Sequence, residues 1–381
     1  MRNLIRRLVV TAPLVLASVA AAQFGGKAGF GEALRPDIYP RDMVLIVEIL
    51  KLEDWQRPIV ESLLEDYNSS FKTGCDGMRE KMTDLAKQQK GAPQTMKGLL
   101  APISEWQPEK KRLFDEFMAG LKGQLSDVQR ERWPKFERTL RRERALDDFD
   151  LSGEGVDLIS VVKQMQVPTD VVAAAQPAMD EYEEQLDGAL VARDKRIESL
   201  MPRFIEAMET SDMTTGVKLS SQIMEARVGV RNLQDASIDK IAAALPAPYG
   251  ADFRQRALAA GYREAFQPDP LASFFQVVSG LEDLTAEQRT AIDAARAKWD
   301  GELASLRERM LQTMRASEPG KPERTTKAAQ ARLAAKQGKT AEPAPMEPMV
   351  PLRNEKNRMA QETRESVMAL LTPSQREKLN A

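Results

Sequence analysis

The sequence contains no histidine and a single cysteine, Cys75, and aromatic residues make up only 6% of its 381 positions. Without histidine the chain lacks the commonest acid-base group and the commonest transition-metal ligand. Ser-His-Asp and Cys-His catalysis and histidine-containing zinc sites are therefore excluded. One cysteine forms no internal disulfide, so the fold must rest on a packed core. Neither sign of charge dominates, with 55 Lys and Arg against 57 Asp and Glu, so no long-range field recruits nucleic acid or an anionic membrane. Gly-rich phosphate loops, GxSxG elbows and CxxC pairs are missing as well. No enzyme, cofactor or metal site is expected.

Long apolar runs are confined to the beginning. Arg2, Arg6 and Arg7 precede an apolar stretch from Leu8 to Val19, and Ala20, Ala21 and Ala22 follow it. A basic region, a short apolar core and small residues predict a secretory signal peptide over 1–22, cleaved near Ala22. The expected location is periplasmic or secreted. No later segment approaches the roughly 20 apolar residues of a membrane span, so no integral membrane segment is expected after cleavage. Residues 23–38 read as a flexible amino-terminal segment.

The remainder reads as three tandem segments, 39–147, 148–267 and 268–381. Each opens with a short apolar helix, for example Met43 to Val47, Leu158 to Val162 and Phe274 to Val278. Each then breaks at an apolar residue, Leu52, Val167 or Leu284. Eight positions on stand Val60, Ala175 and Ile292, fifteen on stand Tyr67, Tyr182 and Trp299, and nineteen on stand Phe71, Leu186 and Leu303. The second halves align on Leu125, Leu245 and Leu371, with Leu121, Ile241 and Val367 four positions before and Trp133, Phe253 and Leu379 eight after. These spacings predict an all-α chain of three long helical-hairpin repeats forming an elongated bundle or arc. Helices of about thirty residues would run some 45 Å.

The expected loops differ. The first runs from Gly91 to Pro102 and the second is a polar turn from Ser211 to Gly216. The third, 317–351, is rich in Lys, Ala and Pro, poor in bulky apolar residues, and predicted to be largely disordered, with a transient helix near Lys327 to Ala335.

Three breaks carry a shared motif: Leu125-Ser126-Asp127-Val128-Gln129, Leu284-Thr285-Ala286-Glu287-Gln288 and Leu371-Thr372-Pro373-Ser374-Gln375. Its physics is a capping box, in which the Ser or Thr oxygen accepts from the backbone three residues on and the Gln side chain reaches back to the cap. Pro373 sits at the first helical position, where its missing N–H costs nothing. Leu52-Glu53-Asp54-Trp55-Gln56 lacks the hydroxyl, Val167-Pro168-Thr169-Asp170-Val171 lacks the glutamine, and Leu245-Pro246-Ala247-Pro248-Tyr249 lacks both.

A leucine-threonine-x-x-glutamine motif placed twice around a long helical hairpin resembles the LTxxQ-motif family of periplasmic stress proteins, Spy and CpxP among them. The resemblance implies a curved all-α hairpin, dimerisation, and binding of unfolded or envelope proteins without ATP, or of metals in some members. The partners it implies are other envelope or unfolded proteins, or a second copy.

Asp148-Phe149-Asp150-Leu151-Ser152-Gly153-Glu154 opens like a calcium loop but has Gly155 and Ile159 where a branched apolar residue and a bidentate Glu belong. It reads better as an acidic linker. Arg138, Arg141, Arg142 and Arg144 read as a solvated helix face. Cys75 shares a three-four spacing with Phe71, Met78, Met82 and Leu85 and reads as a core residue. Eighteen methionines serve either as core gap-fillers or as an adaptable binding surface. Tyr67, Phe71, Tyr182, Leu186, Trp299 and Leu303 belong to the core or to a protein-binding surface. The leading expectation is a non-catalytic, chaperone-like envelope protein; the alternatives are a structural spacer or scaffold and a metal-binding or sensing protein.

Overall fold

The computed structural model describes residues 33–88, 96–147, 149–210, 212–338 and 342–379, so the predicted signal peptide lies outside them. Among the described residues every regular element is helical, and no helix is long and apolar enough to cross a membrane.

Short helix α1 (Met43–Leu50) leads to α2 (Gln56–Gln88), which pairs with α3 (Met96–Gly123); α4 (Asp127–Arg130) and α5 (Trp133–Ala145) follow. In the middle, α6 (Leu158–Gln164) precedes the pair α7 (Thr169–Glu209) and α8 (Met213–Ala244), closed by α9 (Tyr249–Gly261). In the last part, α10 (Ala272–Ser279) precedes α11 (Ala286–Ser317), which pairs with α13 (Val350–Leu370) before α14 (Pro373–Lys378). Between the last two long helices lies α12 (Lys321–Lys336), joined to α11 by a 3-10 turn at Glu318–Gly320.

The apolar stripes explain the pairing. On α2, Val60, Leu64, Tyr67, Phe71, Cys75 and Met78 are buried, spaced by three and four so that they share one face. Facing them from α3, Trp106 meets Phe71 edge-on at 5.5 Å and Phe117 lies 5.8 Å from Tyr67. The helices approach closely at Gly74, where a Cβ would lie 2.1 Å from the Trp106 ring. This first core closes among residues 33–140. The middle core does not close on itself: Leu306, Met310, Leu311 and Met314 of α11 and Met349 join residues of α7 and α8. The distal half of the third hairpin therefore packs on the second, and only its base has a core of its own.

Several expectations are corrected. The third loop is substantially structured: α12 lies against α8, with Pro322 and Thr326 buried. The run Lys327-Ala328-Ala329-Gln330-Ala331-Arg332 has high helix propensity, and the preceding turn is anchored by Glu318, so little further apolar area is needed to hold it. Residues 342–347 are irregular and exposed, as the prolines at 343, 345 and 348 dictate, and 339–341 lie outside the described residues. The first loop is shorter than expected, because α3 begins at Met96 and contains Pro102; residues 89–95 are outside the description. The amino-terminal segment is packed where it is described, with Ala33 and Ile38 fully buried and the Trp106 indole donating to the Ala33 carbonyl at 2.8 Å.

The arginines of α5 are not a solvated face. Arg142 is 5% exposed and pairs with Glu183 at 2.5 Å and Asp157 at 3.3 Å. Arg141 pairs with Asp187, and Arg144 reaches Asp42 at 3.5 Å. Their partners lie on the next hairpin or far back in the chain, which local charge spacing does not reveal.

Candidate functional site

The motif residues build two clasps at the bases of the first and third hairpins. Ser126 accepts from the Gln129 amide while Ser126 N–H donates to Gln129 Oε1 at 2.9 Å, and Thr285 with Gln288 and Thr372 with Gln375 repeat this capping box. The glutamines do more than cap. Gln56 Nε2 donates to Gln129 Oε1 at 3.0 Å and Gln129 Nε2 to Gln56 Oε1 at 2.8 Å. Each also donates to a backbone carbonyl five residues before its partner: Gln56 to Gln124 at 2.6 Å, Gln129 to Lys51 at 2.9 Å. Glu53 supplies no cap side chain, yet its N–H donates to Gln56 Oε1 at 2.8 Å. Both amides are thus saturated, as buried amides must be.

The same circuit closes the third hairpin. Gln288 Nε2 donates to Gln375 Oε1 at 3.0 Å and to the Leu370 carbonyl at 2.8 Å. Gln375 Nε2 donates to the Asp283 carbonyl at 2.9 Å and to Gln288 Oε1 at 3.3 Å. Leu125, Leu284 and Leu371 are buried beneath the clasps. In the middle hairpin the corresponding positions hold Val171 and Tyr249, which lack a side-chain amide.

The aromatics fifteen residues after each break lie in the core. Tyr67, Phe71, Tyr182, Leu186, Trp299 and Leu303 are each at most 6% exposed, so of the two alternatives, core or protein-binding surface, their burial accords with the first. Their polar atoms fasten the entry to each hairpin. Asp37 N–H donates to Tyr67 Oη at 2.8 Å, Tyr182 Oη donates to Gln234 Oε1 at 3.0 Å or the Val156 carbonyl at 3.3 Å, and Trp299 Nε1 donates to Asp269 Oδ1 at 3.0 Å.

The clasped third hairpin is the part that matches a known family. Residues 276–381 match the LTXXQ motif family protein. Comparison with curated proteins and with solved structures found no match. The LTXXQ segment contains both motif copies of the third clasp, in agreement with the resemblance seen in the sequence.

Ahead of the LTXXQ segment, the acidic linker is a charge-paired junction. Glu154 is fully buried; its Oε1 accepts from Arg193 and Arg227, each at 2.9 Å, and its Oε2 accepts from the Asp150 and Leu151 amides. Asp150 pairs with Arg227 at 3.1 Å. Of the carboxylates that resemble calcium ligands, Asp150 and Glu154 are thus held by arginines and Asp148 lies outside the described residues; no group of three metal-ligating side chains occurs among the described residues. Gly153 takes φ +83°, and a Cβ there would lie 2.6 Å from the Tyr262 hydroxyl, so the turn requires glycine. From the third hairpin, Glu318 accepts from Ser152 N–H at 3.0 Å and Ser152 Oγ–H at 2.6 Å and lies 3.5 Å from Arg231. Burial pushes the Glu318 carboxyl up, against the pull of Ser152 and Arg231.

Exposed apolar residues gather at the first clasp. Trp55 immediately precedes Gln56 and is 58% exposed, Ile59 stands one turn further along α2 at 38%, and Val128 immediately precedes Gln129 at 66%. The glutamine pairing brings the two strands of sequence together. At the matching places around the third clasp stand Glu287, Ala291 and Ser374. Neither this patch nor the clasp role of Gln56 is legible from local sequence; the usable signal is the glutamine four residues after Leu52.

Proposed function

We propose that the chain is a non-catalytic extracytoplasmic module that binds other envelope or unfolded proteins in a chaperone-like way, through the apolar patch at the first clasp. The observation that carries this reading is the exposure of Trp55, Ile59 and Val128 around a saturated, buried polar clasp. The motif itself does not require these side chains, because the third clasp forms the same bonds with polar or small residues in their places. A rigid framework bearing exposed aromatic and aliphatic groups suits non-specific capture of apolar segments. The match of residues 276–381 to the LTXXQ motif family, which is associated with periplasmic envelope stress proteins, supports the location and the class.

We also infer that the three hairpins are copies of one unit. Tyr67 and Trp299, Gln56 and Gln288, and Lys51 and Asp283 are each 232 positions apart, while Gln124 and Leu370, and Gln129 and Gln375, are each 246 apart. The difference of 14 falls within the segment between the long helices, where the third unit carries α12.

The test is suppression of aggregation of a denatured model protein by an equimolar amount of the purified chain, without ATP. Suppression that disappears in Trp55→Ser/Val128→Ser, with helicity retained, supports the reading. The second reading, a structural spacer, is favoured by the burial of Tyr67, Tyr182 and Trp299 and by the ion pairs that lock the first hairpin to the second. No suppression by the parent chain would move the assignment there.

A further inference from the structure

Helix α12 carries five basic residues, Lys321, Arg324, Lys327, Arg332 and Lys336, against one acid, Glu323, in a chain whose net charge is −2. Its packing sets where these charges point. The helix lies against α8 with Pro322 and Thr326 buried, and Leu333, seven residues after Thr326, shares their side. From Lys327 to Lys336 no residue is buried.

A different face of the helix is a cationic stripe. Lys321, Thr325, Ala328, Arg332 and Lys336 follow one another by three or four positions, so they line up along the axis over about 22 Å. Lys321, Arg332 and Lys336 are exposed, and their side chains make no hydrogen bond or ion pair among the described residues. The acids nearest in sequence are engaged elsewhere: Glu323 pairs with Lys327 at 2.8 Å, and Glu318 accepts from Ser152. Arg324, at the edge of the stripe, donates to the Ser317 carbonyl at 2.5 Å.

The stripe offers charge without an anchor. A protein partner is held by bulky buried groups at the centre of its interface, and only Thr and Ala stand between these cations. Single-stranded nucleic acid stacks its bases on aromatic rings, and α12 has no aromatic residue. An anionic bilayer needs neither, because each Lys or Arg held near its headgroups adds to binding on its own.

We propose that this face of α12 docks the chain on an anionic membrane surface through Lys321, Arg332 and Lys336. The near-zero net charge of the whole chain confines the attraction to short range, within a Debye length of about 8 Å at physiological salt. With no long apolar side chain on the stripe, the contact is peripheral and reversible. It is separate from the apolar patch of Trp55, Ile59 and Val128 at the first clasp.

The experiment is cosedimentation with vesicles of phosphatidylcholine alone or with about one-third phosphatidylglycerol. The chain used begins at Gln23, so that the apolar run before Ala22 contributes nothing. The expected result is binding to the anionic vesicles only, reversed by high salt. Lys321→Gln/Arg332→Gln/Lys336→Gln should lower the partition about a hundredfold with helicity retained. Lys321→Arg/Lys336→Arg, which keeps the charge, and Trp55→Ser/Val128→Ser should bind as the parent does. Polyaspartate at equal anionic charge should leave the chain on the vesicles. Equal binding to both vesicles or to neither, undiminished binding by the triple glutamine variant, or loss in Trp55→Ser/Val128→Ser would overturn the proposal. Release by polyaspartate would overturn it in favour of an acidic polypeptide.

Discussion

Gln56 and Gln129, 73 residues apart, donate to one another through their side-chain amides, which makes the motif a tertiary fastening as well as a helix start. The two ends of the first hairpin are held by four side-chain donors, two exchanged between the amides and two given to backbone carbonyls. Gln129→Ala should therefore cost more than a lost cap, about 1–3 kcal/mol, because the partner amide is left buried and unsatisfied. Urea unfolding of Gln56→Ala, Gln129→Ala and the double variant should show the double costing less than the sum. Strict additivity would contradict the coupling.

Glu154 and its arginines supply a second test. Glu154→Gln removes the carboxylate shared by Arg193 and Arg227, and breaking a buried pair from one side costs about 3–5 kcal/mol. A loss under about 1 kcal/mol in denaturant unfolding would show that the junction is wetter than its burial implies.

The Glu318 carboxyl is held above the ordinary glutamate value, first by burial. A raised acid favours the fold most fully below its unfolded value, and that contribution is lost as pH rises through the folded value. The parent chain should thus gain stability relative to Glu318→Gln as pH falls from 7 towards about 4. Melting curves of both proteins across that range check the sign; a difference that shrinks on acidification would contradict it.

Gly74 faces the Trp106 ring. Gly74→Ala gains helix propensity of about 1 kcal/mol, yet its methyl collides with the indole, and overpacking of this kind costs about 1–3 kcal/mol. A net loss of stability by calorimetry is expected, whereas Gly77→Ala, whose Cβ meets nothing within 4 Å, should stabilise.

The helical architecture was legible because long amphipathic stripes carry it redundantly: Val60 to Met78 would be recognised even with several changes. The capping boxes were legible because Ser126 and Gln129 are three residues apart. The clasp was not, since nothing local in Gln129 names Gln56 as its partner. Trp55 and Val128 were hidden for the same reason, as their proximity follows from that pairing. The Lys321–Lys336 helix was obscured by composition, because Ala, Lys and Pro suggest a disordered tract until an anchor such as Glu318 is known. Arg142 reads as part of a solvated face and Glu154 as part of an acidic linker, and only the fold places Arg142 against Glu183 and Asp157 and Glu154 against Arg193 and Arg227.

The most direct measurement is amide hydrogen exchange of the chain with and without an equimolar unfolded client. Binding at the first clasp predicts slowed exchange over 53–60 and 126–131, with the matching segments 285–292 and 372–377 unchanged. Equal protection at both clasps, or none at either while the client stays soluble, would contradict the assignment of Trp55, Ile59 and Val128 as the binding surface.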